Sequence, residues 1–229
     1  MEKPTVLGYM KDQPRALRAA FAHRAEFVEP FRQLFEELPI KKVLFFGSGT
    51  SYNASQIAAY EFKQLCGLEA QAHYPTVFAH YERADWTGLL KKEEIMFVGI
   101  SQSGTSISTI EVMEKARSEG YPTVALTENL DSEITRHVDH VIHLLCGKEE
   151  TPPETRGYTV TLLQLYLWAL AAAEVRSTLT AQEVSQALAE TETFVNQFDQ
   201  VMTESEAWYD RNATTIVNSD RIYVLGRCV

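Results

Sequence analysis

The sequence has few cysteines, which excludes a disulfide scaffold and a cysteine-rich metal site. The three cysteines among the 229 residues are Cys66, Cys146 and Cys228, and no two of them stand at metal-ligand spacing. An odd, scattered set of this kind is typical of reduced thiols in a cytoplasmic protein. We therefore expect free thiols, a cytoplasmic location, and neither a metal nor a cofactor.

Positive charge is also scarce. The chain has 21 lysine and arginine residues against 31 aspartate and glutamate residues, a net charge of −10. A surface of this sign repels nucleic acid and anionic lipid, so neither is an expected partner. A small anion remains compatible, because backbone N–H groups at helix starts bind phosphate without side-chain charge.

Long apolar runs are absent as well. The longest apolar stretch, residues 162–175, is interrupted by Gln164 and Glu174 and is too short to span a bilayer, so it predicts a buried helix. Residues 1–4 lead into mixed sequence without the apolar core of a signal peptide. No membrane association is expected.

Apolar runs alternate with helical periodicity along most of the chain. Helical spacing covers residues 10–38, where Pro14 is expected in a first turn and Pro30 is expected to divide the region into two helices. Strands are predicted over residues 43–46, 70–74, 95–100, 122–126 and 138–145, and helices over 52–65, 107–119, 157–175 and 181–209. This alternation predicts an α/β fold, a doubly wound parallel sheet between two helical layers.

The end of the sequence repeats an earlier pattern. The last ten residues, DRIYVLGRCV, repeat the order of KKVLFFGSGT at residues 41–50: charge, apolar run, then glycine. We expect an N-terminal helical segment (residues 1–38), one α/β domain (39–210), and the first strand of a second, truncated domain (211–229). In the alternative, the last strand is an edge strand or a linker.

Two clusters of glycine and hydroxyl side chains follow predicted strands. GSGTS occupies residues 47–51 and SQSGTS occupies residues 101–106. In a parallel sheet both would lie at the carboxyl edge, before helices whose first N–H groups are free. Glycine allows close approach of a ligand, and hydroxyls donate hydrogen bonds without charge, which predicts a phosphate site. The alternative is N-capping and tight turns alone.

These clusters, with GSGTSYNA and the later ETRGYT, resemble the SIS (sugar isomerase) domain over residues 8–175. The resemblance is to the isomerase half of glucosamine-6-phosphate synthase and to the fructosamine-6-phosphate deglycases. It implies a three-layer, five-stranded parallel sheet of flavodoxin-like order, a sugar-phosphate ligand and a homodimer. The implied activity is that of an isomerase or a deglycase. The implied substrate is an aldose or ketose 6-phosphate, with or without an amino group. A non-catalytic phosphosugar sensor is the alternative.

The resemblance also assigns residues. It implies phosphate binding by Ser101, Gln102, Ser103, Gly104 and Ser106, and sugar binding by Gly49, Thr50, Ser51 and Glu154. Glu154 replaces a serine of the synthase and is the single catalytic candidate. The family's proton-transferring glutamate, lysine and histidine come from a second SIS domain or another subunit, so this chain is expected to anchor the phosphate.

Other candidates are interpreted as structural. Three-residue steps along a strand alternate faces, so the histidines are not a predicted metal site. Glu154 and Arg156 form either a loop salt bridge or ligand contacts, and residues 148–150 are expected to be a solvated loop. The histidines concerned are His137, His140 and His143; Tyr52, Tyr158 and Trp168 are expected to pack, and His73 and His80 lie close enough to a strand end to reach the pocket.

Overall fold

The computed structural model describes residues 5–151 and 153–224, and within them a parallel sheet lies between two layers of helices. The helices are α1 (Val6–Ala22), α2 (Ala25–Glu37), α3 (Thr50–Cys66), α4 (Pro75–Tyr81), α5 (Ile107–Ser118), α6 (Arg156–Val175) and α7 (Ala181–Val217). The strands are β1 (Lys42–Phe46), β2 (Glu69–His73), β3 (Ile95–Ile100), β4 (Thr123–Thr127) and β5 (His140–His143).

The strand order is β2-β1-β3-β4-β5, with every neighbouring pair parallel. β1 therefore lies beside β3, and the last residue of β1, Phe46, is in register with Gly99. This order confirms the predicted doubly wound, five-stranded sheet of flavodoxin-like order. It also places the reversal of strand order between β1 and β3, where ligands bind in open α/β sheets.

The sheet is covered on both faces, which explains its uninterrupted apolar strands. Every residue of β1, β3 and β4 is buried, and successive side chains point to opposite faces. One face packs against α1, α2, α3 and α6, where Trp168 stacks on Phe31 at a centroid distance of 4.1 Å. The other face packs against α5 through Val112 and Met113.

Helix α6 is the central helix of the larger core. Among the described residues it alone is long and apolar enough to cross a membrane, yet 67% of the relevant window is buried inside the fold. The Trp168 indole N–H donates to the Phe27 carbonyl at 2.9 Å. These contacts identify α6 as a core helix, as predicted for residues 162–175.

Both predictions about the N-terminal prolines are wrong. α1 begins at Val6, so Pro14 lies in its interior, and Pro30 lies inside α2; the chain breaks between the helices at His23 and Arg24 instead. An interior proline leaves the carbonyl four residues earlier without its N–H donor. In α1 the Gln13 side-chain amide donates to that carbonyl, of Met10, at 3.1 Å.

The C-terminal region differs from the expected strand over its described part. α7 continues to Val217, and residues 221–224 are exposed and form no strand. A strand needs a hydrogen-bonded neighbour, and the described sheet has none there. Residues 225–229, with Cys228, lie outside the described residues, and the proposed division into domains stays a prediction. Cys66 and Cys146 are free and buried.

One buried acid in α3 generates a prediction about stability. The Glu61 Oε2 atom is buried without a hydrogen-bond partner among the described residues, and burial raises the pKa of Glu61 to about 7. A raised folded-state pKa costs stability as pH rises from the ordinary value of 4.5 through about 7. We expect Glu61→Gln to stabilise the fold at about pH 8 by a few kcal/mol, and by much less at about pH 5.

Chemical denaturation at the two pH values measures this difference. Glu36→Gln, which changes an exposed acid in α2, is the matched control and should show no such pH dependence. An equal effect of Glu61→Gln at both pH values would contradict the prediction.

Candidate functional site

Three loops meet at the carboxyl edge of the sheet. The glycine and hydroxyl clusters at residues 47–51 and 101–106 follow β1 and β3, and residues 144–155 connect β5 to α6. Because β1 and β3 are parallel neighbours in register, the first two loops begin side by side. The two clusters that sequence analysis singled out therefore lie on adjacent strands.

The β3–α5 loop is held by a tight turn at Gly104. Its φ is +67°, and an added Cβ would lie 1.8 Å from Ser132 Oγ. The Gly104 N–H donates to the Ser101 carbonyl and the Gly104 carbonyl accepts from Ile134, both at 3.0 Å. The loop is thus fixed from two sides and has room for glycine alone at this position.

Side chains of this loop differ in exposure. Ser101 and Gln102 are buried, whereas Ser103 and Thr105 are exposed with their hydroxyl oxygens 2.9 Å apart. Ser106 is the N-cap of α5, but within the described chain no side chain accepts a hydrogen bond from the first N–H groups of this helix. Those N–H groups remain available to an anion.

The β1–α3 loop has a similar form. An added Cβ at Gly47 would lie 2.7 Å from the carbonyl carbon of Ser51, so α3 starts directly against the end of β1. Gly49, with φ +59°, is the N-cap of α3 and provides no side-chain acceptor. Thr50 and Ser51 are half-buried in the first turn. A second helix start at this edge is therefore free of a side-chain cap.

The start of α6 is different, because a carboxylate occupies it. Glu149 Oε2 accepts from the Thr155 N–H at 3.0 Å and Oε1 accepts from the Gly157 N–H at 2.5 Å. The Glu149 side chain is only 1% exposed. The prediction of a solvated loop is thus wrong for Glu149, since its charge is stabilised by helix N–H groups instead of water.

Glu154 joins the third loop to the first. Its Oε2 accepts a hydrogen bond from Thr50 Oγ1 at 2.5 Å. Burial raises the pKa of Glu154, the Thr50 hydrogen bond opposes this, and the charge of Glu149 adds to the rise. A cleft carboxyl whose pKa is raised by burial is a candidate for a functional group.

Arg156 does not pair with Glu154, which excludes the salt-bridge alternative. Its guanidinium donates to Asp12 of α1 at 2.6 Å and to the Lys148 carbonyl at 2.9 Å, and it lies 4.8 Å from the Tyr9 ring centroid. Arg156 is buried and turned toward α1. It anchors the loop and leaves Glu154 directed to Thr50.

An open cleft of about 860 Å³ is lined by the β3–α5 loop, the ends of β4 and β5, and the β5–α6 loop. Residues 47–51 do not line it, and Thr50 meets it through the hydrogen bond to Glu154. Sequence analysis assigned no binding role to most of the residues that line it, among them Glu128, Asn129, His143, Lys148 and Glu149. The ends of β4 and β5 reach the same edge as β3, and that topology was the available signal for Glu128, Asn129 and His143. The full lining is Gln102, Ser103, Thr105, Glu128, Asn129, Leu130, His143, Lys148, Glu149, Thr151 and Glu154.

Gln102 forms the inner wall of the cleft. Its Oε1 is buried and has no hydrogen-bond partner in the part of the chain that the structure describes. Gly157 lies directly behind it, since an added Cβ there would be 2.2 Å from Oε1. The Gln102 amide is therefore packed against the Gly157 backbone, where only glycine leaves room for it.

The remaining candidates have other surroundings. His137 pairs with Glu133 at 3.0 Å and Glu114 at 3.3 Å, His140 is exposed, and only His143 lines the cleft. Within residues 5–151 and 153–224, no group of three histidine, cysteine or acidic residues is placed to hold a metal ion. Tyr52 stacks on Tyr74, Tyr158 and Trp168 pack against the core, His73 stacks on Phe46, and His80 is exposed.

Comparison with known proteins gives consistent matches. The SIS domain family matches residues 38–173. Glutamine–fructose-6-phosphate aminotransferase (isomerizing) of Clostridium acetobutylicum is 25% identical over 222 residues, which are 94% of this chain and 35% of that enzyme. The chain therefore spans about a third of the length of this curated relative.

Solved structures share the fold. A protein of Clostridium difficile 630, assigned as a phosphosugar isomerase, has a TM-score of 0.83 and 25% identity, over 95% of this chain and 59% of that one. The C-terminal domain of glucosamine-fructose-6-phosphate aminotransferase from Francisella tularensis has a TM-score of 0.74 and 22% identity, over 85% of this chain and 54% of that one.

The turn at Gly104 yields a test of the site's construction. We expect Gly104→Ala to destabilise the fold by about 3 kcal/mol, because alanine is strained at positive φ and its Cβ would displace Ser132. Gly120→Ala is the matched control, since Gly120 has φ +88° and nothing within 4 Å of an added Cβ. That variant should lose about 1 kcal/mol. If urea denaturation showed that the two variants lose the same free energy of unfolding, the interpretation of a tight turn at Gly104 would be contradicted.

Proposed function

This chain belongs to the SIS domain family, and on that basis we propose that it binds a phosphorylated sugar at the carboxyl edge of its sheet. In this proposal the domain anchors the substrate of a phosphosugar isomerase or a fructosamine-6-phosphate deglycase. The ligand is an aldose or ketose 6-phosphate, with or without an amino group. A homodimer in the cytoplasm is part of the same proposal.

The observation that carries the proposal is the difference between the helix starts. Glu149 already occupies the start of α6, whereas α3 and α5 have no side-chain cap. A helix start attracts anions through its free N–H groups and the helix dipole. The start of α5 also lies beside the hydroxyls of Ser103 and Thr105. This makes the β3–α5 loop the best phosphate site.

The charges of the cleft orient the ligand. The cleft is lined by three acidic side chains, Glu128, Glu149 and Glu154, and by the positively charged side chain of Lys148. A phosphate dianion is repelled by the carboxylates and attracted to the start of α5, so the sugar extends toward Glu154 and Thr50. Carboxylate and hydroxyl groups there accept hydrogen bonds from sugar hydroxyls or from an amino group.

Anchoring the phosphate would serve catalysis by fixing the distant carbons of the sugar. Binding energy at a non-reacting group orients the reacting atoms. Isomerisation moves a proton between C1 and C2 after ring opening and needs an acid and a base. We assign Glu154 as the proton-transfer candidate of this chain. The regulatory alternative predicts saturable binding without turnover, so consumption of the bound sugar phosphate by the full-length protein would contradict it.

Calorimetry with the wild type and two serine variants tests the binding proposal. We expect fructose 6-phosphate and glucosamine 6-phosphate to bind, and unphosphorylated fructose not to bind. Ser103→Ala should weaken sugar-phosphate binding about tenfold, because it removes a hydrogen bond to a charged group. Ser118→Ala, at the far end of α5, is the matched control and should bind like the wild type. No binding by the wild type, or unchanged binding by Ser103→Ala, would refute the proposal.

A further inference from the structure

We propose that Glu149 is a positioning residue that holds both the sugar side and the phosphate side of the cleft in place. This inference rests on the proposed function, because it assigns Glu149 a role in binding the same sugar phosphate. Glu149 would act through Glu154 and Gln102, its own oxygens being taken up by backbone N–H groups.

The side chain of Glu149 is buried, so protein groups and not water must stabilise its carboxylate. A carboxylate that is 1% exposed is costly unless hydrogen bonds compensate it. The Thr155 and Gly157 N–H groups provide two such bonds, and Arg156 Nε lies 4.0 Å from Oε1. These contacts hold the carboxylate at one place on the wall of the cleft.

The bond to Thr155 positions Glu154. The Thr155 N–H belongs to the peptide group whose carbonyl is that of Glu154, and this group is planar. Holding its N–H at 3.0 Å from Glu149 Oε2 therefore fixes the backbone of Glu154. From that backbone the Glu154 side chain reaches Thr50 Oγ1 at 2.5 Å.

The bond to Gly157 positions Gln102. Gly157 packs so closely against the Gln102 amide that an added Cβ would lie 2.2 Å from Oε1 and 2.6 Å from Cδ. Fixing the Gly157 backbone thus fixes the wall behind a buried residue of the β3–α5 loop. One carboxylate connects Glu154 with the loop assigned to the phosphate.

Helix α1 supports the same loop from outside. Arg156 bonds to Asp12 of α1, and the Tyr9 hydroxyl accepts from the Glu150 N–H at 3.1 Å. These contacts hold Glu150 and Arg156 independently of the Glu149 side chain. Loss of Glu149 alone should therefore loosen Glu154 without detaching the whole loop.

The test compares two ligands in Glu149→Gln, with Glu150→Gln as the control. Glutamine removes the charge and sets an amide N–H₂ against two backbone donors, so one bond is lost. We expect glucosamine 6-phosphate to bind at least tenfold more weakly, because both Glu154 and the wall behind Gln102 lose support. Inorganic phosphate should bind only about threefold more weakly, because it meets Gln102 but not Glu154. Glu150 is exposed, and its one ion pair within the described chain is an exposed one with Lys148 at 3.8 Å, so Glu150→Gln should leave both affinities unchanged.

A double-mutant cycle tests whether Glu149 affects binding through Glu154. If Glu149 acts through Glu154, Glu149→Gln adds little to the loss already caused by Glu154→Gln. Fully additive losses, equal weakening of both ligands, or unchanged sugar-phosphate binding would overturn the inference. Failure of the wild type to bind either ligand would instead refute the proposed function.

Circular dichroism and thermal unfolding first establish that each variant is folded. If Glu149→Gln does not fold, Glu149→Asp enters the same cycle, because it keeps the charge with a shorter reach. Aspartate should show the same selective loss for the sugar phosphate. Failure of both variants to fold would overturn the inference, since the carboxylate would then serve the fold and not the site.

Discussion

The parallel pairing of β1 with β3 is the constraint that brings the two glycine and hydroxyl loops to one edge of the sheet. β1 lies between β2 and β3, so the chain leaves β1 and β3 toward opposite faces of the sheet. α3 packs in the core that contains Trp168, and α5 packs in the core that contains Met113. The starts of the two helices therefore diverge from adjacent strand ends with free N–H groups, and the β3–α5 loop on one side lines the cleft.

The third helix at this edge shows why geometry alone does not decide where an anion binds. α6 also starts beside the cleft, but Glu149 neutralises that start with a protein carboxylate. A chain with three available helix starts would attract phosphate to several places. With the start of α6 occupied by Glu149, our proposal assigns the phosphate to the start of α5, which lies beside the hydroxyls of Ser103 and Thr105.

Local patterns predicted the sheet and the two hydroxyl loops, because β1, β3 and β4 are buried on both faces and leave uninterrupted apolar runs. Contacts that leave no periodic pattern in the sequence were missed. Lys148-Glu149-Glu150 has the composition of a solvated loop, but the carboxylate of Glu149 meets the Thr155 and Gly157 N–H groups at the start of α6 and is buried there. The Asp12–Arg156 pair has no periodic signal, and the proline at position 14 is tolerated because Gln13 satisfies the Met10 carbonyl.

Helices α1 and α2 contribute to the core and support the loop beside the cleft, although the family match begins at residue 38. Phe27 and Phe31 are fully buried in the larger core, and Asp12 reaches the guanidinium of Arg156 at the edge of the cleft. A change in α1 would therefore reach Glu154 through Arg156 and its loop, without any contact to a ligand. The geometry of the cleft therefore depends on both α1 and the sheet, since the loop between β5 and α6 is bonded to Tyr9 of α1 and, through the Leu144 N–H, to the Thr127 carbonyl of β4.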